Sequence, residues 1–169
     1  MNNNDITLNI IQKSSKNLSA YQILDKFQKI KKVHPTTVYR SLDFLIKKGI
    51  IVGVGGGGNK MANAFIELGF NKTLLVNTTG KDIPKNVAED HVVLIPDSDG
   101  IGKNVDYGKE VLSQNGAIIE DALRIKLGKV DWLFVLAGGG GGTGSSVTAL
   151  HPVFERYMRS VQSSGKGVY

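Results

Sequence analysis

The chain has no cysteine. That absence removes disulfide frameworks, cysteine-ligated zinc and thiol nucleophiles together. It also lacks any apolar run near the roughly 18–20 residues that a membrane helix needs. The amino terminus, Met1-Asn2-Asn3-Asn4-Asp5, is polar and unlike a secretory leader. No membrane partner and a cytoplasmic location are therefore expected. The three histidines, His34, His91 and His151, are scattered. Glu67, Glu110, Glu120 and Glu155 fall in helical stretches and read as surface charge. No nucleophile with its base, no acid–base pair and no metal-ligand spacing emerges, so neither catalytic residues nor a protein-held metal site is expected.

What is present is unevenly distributed. The 169 residues are 41% apolar and 21% charged, an ordinary globular balance with room for one domain or two small ones. Residues 1–50 hold nine Lys/Arg against three Asp, a charge of +6, whereas residues 51–169 hold twelve of each sign. Glycine runs the other way: of 21, only Gly49 lies in the first fifty residues. A step in both properties at one place predicts two unlike modules, 1–49 and 50–169.

The basic third reads as three amphipathic helices. Ile6, Ile10 and Ile11 mark one over about 5–14. Ser19 caps a second, with Ala20, Ile23, Leu24, Phe27 and Ile30 at helical spacing. Pro35 opens a third, striped by Val38, Leu42 and Leu45 and ended by Gly49. Its other face carries Thr36, Tyr39, Arg40, Asp43 and Lys47. A basic, hydroxyl-bearing third helix suits a major groove, with lysines on phosphates; a basic three-helix cluster with solvated charges fits the same pattern.

Ser19-Ala-Tyr-Gln-Ile-Leu-Asp25 and His34-Pro-Thr-Thr-Val-Tyr-Arg-Ser-Leu-Asp-Phe-Leu-Ile-Lys-Lys-Gly-Ile50 resemble the DNA-binding domain of ferric- and zinc-uptake regulators. The resemblance covers about residues 5–50. It implies a winged-helix-like module with DNA as partner, Tyr39 and Arg40 as contacts and Thr36 and Thr37 near the helix start. The family's wing, metal-binding segment and dimerisation domain have no counterpart after residue 50, so metal sensing is not carried over.

From Ile50 strands and helices alternate, predicting an α/β parallel sheet. Strands are read at Ile50–Val54, Thr73–Val76, His91–Ile95 and Trp132–Ala137. Helices are read at Asn59–Leu68 (apolar at Met61, Ala64, Phe65 and Leu68), at about 105–114 and 117–127 (Ile118, Ile119, Ala122, Leu123 and Leu127 on one side), and from about Ser145 to Gln162. Gly167-Val168-Tyr169 reads as the start of a further strand. Two strand ends run into oligoglycine, Gly55-Gly56-Gly57-Gly58 and Gly138 to Gly142. Glycine lets a main chain turn its N–H groups toward an anion, and a helix starting there adds its positive end. Two such turns suit a di- or triphosphate.

Gly53, Gly55 and Gly58 satisfy G-x-G-x-x-G, but a dinucleotide site expects an acid where Asn77 stands. Ser164-Gly-Lys-Gly167 does not supply a Walker loop. Gly140-Gly-Gly-Thr-Gly-Ser-Ser146 resembles the signature loop of tubulins and FtsZ, departing at Ser146. Val54-Gly-Gly-Gly-Gly-Asn59, Val76-Asn-Thr78 and Gly100-Ile-Gly-Lys-Asn104 with Gly108 resemble that family's other phosphate-facing segments in the same order. This resemblance implies an incomplete Rossmann-like half-domain binding GTP or GDP with Mg2+. Its nucleotide-binding residues would be Gly55, Gly56, Gly57, Gly58, Asn59, Lys60, Asn77, Gly102, Gly139, Gly140, Gly141, Gly142, Thr143, Gly144 and Ser145. It also implies self-association into filaments. Asp97 and Asp99 read as loop caps or as assistants to magnesium. The family's base pocket and catalytic acid lie in segments without a counterpart here, so autonomous hydrolysis is not expected. Two accounts of the joined halves stay open: a natural fusion coupling DNA binding to a nucleotide-responsive or polymer-forming module, and a truncated or recombined reading frame.

Overall fold

A computed structural model describes residues 1–14, 18–96, 98–127 and 130–161, with the side chains of Ile46 and Lys47 outside that description. The chain divides into two compact units, Met1–Lys48 and Gly49–Tyr169.

The first unit holds three helices: α1 (Asn3–Gln12), α2 (Ala20–Gln28) and α3 (Pro35–Lys47). Sequence sets the first two starts through capping boxes. Asn2 and Asp5 bond each other's backbone N–H, and Ser19 and Gln22 do the same. Ile6, Ile10, Ile23, Phe27 and Val38 form the core between the helices. Ile30, expected on the inner stripe, is 60% exposed because α2 ends at Gln28 and the chain turns away. The unit's described residues contain no strand, so a wing has no counterpart among them.

The second unit is built on β1 (Gly49–Val54), β2 (Thr73–Asn77), β3 (Val92–Leu94) and β4 (Trp132–Ala137). All pair in parallel, in the order β3-β2-β1-β4. The chain moves outward from β1 to β2 and β3, then returns to place β4 on the other side of β1. The gap between the carboxyl ends of β1 and β4, where Val54 pairs with Ala137, is thus the topological switch point of the sheet.

Alternate strand residues face opposite ways. Ile50, Val52, Val54, Leu74, Val76 and Leu133 join the main core with side chains of α5 (Val105–Gln114), α6 (Gly116–Leu127) and α8 (His151–Val161). Glu120 of α6 ties that layer together, accepting from Arg124 at 2.7 Å and from Arg156 of α8 at 3.2 Å. The Arg124 hydrogen bond, helped by Arg156, holds its carboxyl below the usual glutamate value. Burial pushes the Tyr157 phenol up to about 12.

Helix α4 (Gly55–Glu67) packs on the other side of β1, and it corrects the sequence reading twice. It begins at Gly55 rather than Asn59, so the glycine run is its first turn and not a loop before it. Its buried face is Gly55, Gly58, Asn59, Ala62 and Asn63, whereas Met61 and Leu68 are exposed. The helix lies so near the strands that only small or amide side chains fit between. A Cβ at Gly53 would sit 2.7 Å from Ala62 Cβ, and one at Gly58 would strike the Leu136 carbonyl oxygen. The large apolar residues are pushed outward.

The expected last helix is also divided, into α7 (Gly142–Ser145), a 3-10 turn (Val147–Leu150) and α8. Pro152 explains the break, since a continuous helix would lose its N–H bond and clash with the carbonyl four residues earlier. In α6, Ile119, Leu123 and Leu127 are buried but Ile118 is 41% exposed, beyond the inner stripe. The expected strand at 167–169 lies outside the described residues. No described helix is long and apolar enough to cross a membrane.

Candidate functional site

At the switch point lies a cavity of about 400 Å³. Gly56 and Gly57 of α4 wall one side, and Gly138 and Gly140 to Gly144 wall another. Thr78, Thr79 and Asp82 after β2, with Gly100, Ile101 and Gly102, complete it. Gly57 and Gly141 thus border the same space, and a Cβ at Gly57 would stand 3.3 Å from Gly138 Cα. Helices α4 and α7 both begin here, and neither start has a side-chain cap. Their first-turn N–H groups lack intrahelical acceptors, and the start of the 13-residue α4 also carries partial positive charge.

The expected site residues fall into three groups. Gly56, Gly57, Gly102, Gly140, Gly141, Gly142, Thr143 and Gly144 line the cavity. Gly55, Gly58, Asn59 and Asn77 lie behind the wall and hold it. Gly55 has φ +72°, and its missing Cβ leaves room for the Gly144 backbone. Asn59 is fully buried. With its amide nitrogen turned toward oxygen acceptors, its two N–H protons are shared among Gly53 O (2.9 Å), Gly55 O and Val76 O (both 3.2 Å). Its oxygen accepts from Asn77 Nδ2 at 2.9 Å. Asn77 Oδ1 accepts from the Thr78 and Thr79 N–H groups. This amide pair latches the start of α4 to the end of β2. Lys60, Gly139 and Ser145 do not line the cavity; Lys60 and Gly139 are exposed and Ser145 is half-buried.

Ser146, the departure from the signature pattern, is buried, and its single hydroxyl proton has two carbonyl acceptors in reach, Val105 O at 2.9 Å and Gly142 O at 2.8 Å. It fits because its neighbour at position 108 is glycine, where a Cβ would strike Ser146 Oγ. Asp99 pairs with Lys81 at 3.6 Å and does not line the cavity; Asp97 lies outside the described residues.

Asp82 was not expected at the site. Thr79 caps the 3-10 turn Gly80–Asp82 by accepting from Lys81 N, and the turn brings Asp82 over α4. A Cβ at Gly56 would lie 3.2 Å from Asp82 Oδ2. Thr79 as a cap is the sequence signal that could have placed this carboxylate. Asp82 is the one ionisable side chain among the residues lining the cavity. No group of three or more His, Asp or Glu that could hold a metal occurs among the described residues.

In the first unit Thr36, Tyr39, Arg40 and Asp43 of α3 are exposed and Thr37 is half-buried; the Lys47 side chain lies outside the description.

The second unit is an open parallel α/β sheet with glycine turns at its switch point, and its solved neighbours include TubZ and CetZ proteins of tubulin/FtsZ-like fold. CetZ from Methanosaeta thermophila strain DSM 6194 matches with a TM-score of 0.60 and 25% identity over 72% of this chain and 34% of that one. CetZ1 from Haloferax volcanii, a GDP-bound monomer, gives 0.60 and 25% over 72% and 40%. A TubZ protofilament from bacteriophage PhiKZ gives 0.57 and 21% over 72% and 36%. The α/β unit therefore has a partial tubulin/FtsZ fold, and the chain matches 34–40% of the length of these neighbours. The chain matches no protein-family model.

Proposed function

We propose that residues 50–169 bind the phosphates of a guanine nucleotide. The observation that carries this is the meeting of the uncapped, glycine-built start of α4 with the oligoglycine turn after β4 at one cavity. Main-chain N–H groups of Gly56, Gly57 and Gly140 to Gly144 are the donors for phosphate oxygens, with the Thr143 hydroxyl beside them. The GDP in CetZ1 supports guanine as the base. The TubZ protofilament supports self-association of this chain as well.

Magnesium fits the donor set. A bare carboxylate in a phosphate cavity repels its ligand unless a cation intervenes, and Asp82 is such a carboxylate. A bound Mg2+ supplies neutralisation of phosphate charge; Asp82 is the side chain that would face it.

The test is binding of fluorescently labelled GTP to the whole chain. Saturable binding in Mg2+, competed by GDP, is expected; no saturation at millimolar nucleotide refutes the reading. Removing Mg2+ with EDTA should weaken binding by about tenfold. Asp82→Asn should shrink that difference, and an undiminished difference removes Asp82 from the role.

A second reading, that residues 1–49 bind DNA as a helix-turn-helix, is supported by the exposed Thr36, Tyr39 and Arg40 on one helix of a strongly basic unit. Arg40→Ala should weaken DNA binding and flatten its logarithmic salt dependence by about one unit. An unchanged slope would count against Arg40 as a phosphate contact.

A further inference from the structure

The Thr78 and Thr143 hydroxyl oxygens stand 2.7 Å apart, buried, and join residues 65 positions apart in the chain. That is an ordinary O–H···O length. Each hydroxyl has one proton and two acceptor lone pairs, so a single proton lies between the oxygens and either residue can supply it. The two arrangements present different faces to the cavity. If Thr143 donates to Thr78, Thr143 offers only lone pairs and the free proton is that of Thr78, which borders the cavity but has no exposed surface, against 8% for Thr143. If Thr78 donates to Thr143, the Thr143 proton is released for an anion.

Thr78 is built to stay still. It is fully buried. Its N–H donates to Asn77 Oδ1 at 2.8 Å, and its carbonyl accepts from Gly100 N and Ser98 Oγ, both at 3.1 Å. Thr143 lies on the cavity wall and keeps 8% exposure.

We infer that Thr78 is a positioning residue for anion binding: its hydroxyl donates to Thr143 Oγ1 and so turns the Thr143 proton toward a phosphate oxygen. This rests on the nucleotide reading above. A hydroxyl that accepts one hydrogen bond is polarised into a better donor of the next. The sequence gives no sign of the pair, since Thr78 follows β2 and Thr143 follows β4.

Labelled-GTP affinity in Mg2+, with urea unfolding of the nucleotide-free protein alongside, tests the assignment. Thr78→Val keeps shape and removes the hydroxyl; affinity should fall by about tenfold. Thr78→Ser restores the donor and should bind within about twofold of the unaltered chain. In a Thr143→Val background, Thr78→Val should cause no further loss, because the proton it directs is already absent. Unchanged affinity in Thr78→Val, equal losses in the Ser and Val variants, or additive losses with Thr143→Val would each overturn the positioning role. Failure of the unaltered chain to bind GTP removes the nucleotide reading and this role together. Normal binding with an indifferent Thr78 removes this role alone.

Discussion

Gly58→Ala should lower the urea midpoint of the α/β unit, although alanine is the better helix former. Gly58 lies inside α4, where helix propensity alone favours the change by about 1 kcal/mol. The new methyl would meet the Leu136 carbonyl oxygen and lie 3.2 Å from Ala137 Cα. Both belong to the backbone of β4, which cannot step aside as a side-chain end would. Overpacking, backbone shifts included, costs about 1–3 kcal/mol and occasionally more, and a methyl driven into a strand carbonyl belongs at the top of that range. A net loss of about 2 kcal/mol is therefore expected. Gly140→Ala is the control: nothing lies within 4 Å of a Cβ there. Its unfolding midpoint should stay level or rise slightly, because alanine restricts the unfolded chain. A Gly58→Ala midpoint at or above that of the unaltered chain would mean that α4 does not approach β4 this closely.

Gly55→Ala should have the larger effect on binding. The residue sits at φ +72°, in the left-handed region where a side chain costs about 1–2 kcal/mol. Its Cβ would also lie 2.6 Å from Gly144 N and 3.3 Å from Thr143 Cβ. One methyl would thus press the first glycine turn against the second and spread the two turns that wall the cavity. GTP affinity should fall by about a hundredfold, ~2.7 kcal/mol, together with a loss of stability. Calorimetric titration at a temperature where the variant is still folded separates the two. Affinity within about threefold of the unaltered chain would show that the turns need not touch for binding. Gly142→Ala makes a poorer probe of ligand contact, because its Cβ would strike the Gly102 carbonyl oxygen and disturb packing directly.

Parts of the site were legible before any fold was known. The runs that end in Val54, Val76 and Ala137 are apolar and short, and each gives way at once to residues suited to a turn. Strand positions followed closely; β4 runs from Trp132 to Ala137, as read. The inner face of α4 was not legible. Periodicity assigns the largest apolar residues inward, yet the helix approaches the sheet too closely for Met61 or Leu68, so Ala62 and Asn59 go inward instead. Asp82 is not legible by periodicity, since a lone acid in a polar stretch has none, and only the capping residue Thr79 points to it. The break before α8 was within reach, since Pro152 forbids the continuous helix.

The sequence by itself determined where the backbone turns and which turns can bare their N–H groups, because glycine, proline and capping residues act on their own dihedrals and near neighbours. Only the tertiary structure decided which glycines face the cavity and which make room for another strand or turn. That distinction depends on what lies across space from each absent Cβ: the Leu136 carbonyl for Gly58 and the Gly144 amide for Gly55, behind the wall, and nothing within 4 Å for Gly140 and Gly141, on the cavity. Along the chain these residues are identical, and they differ only through partners that folding brings to them.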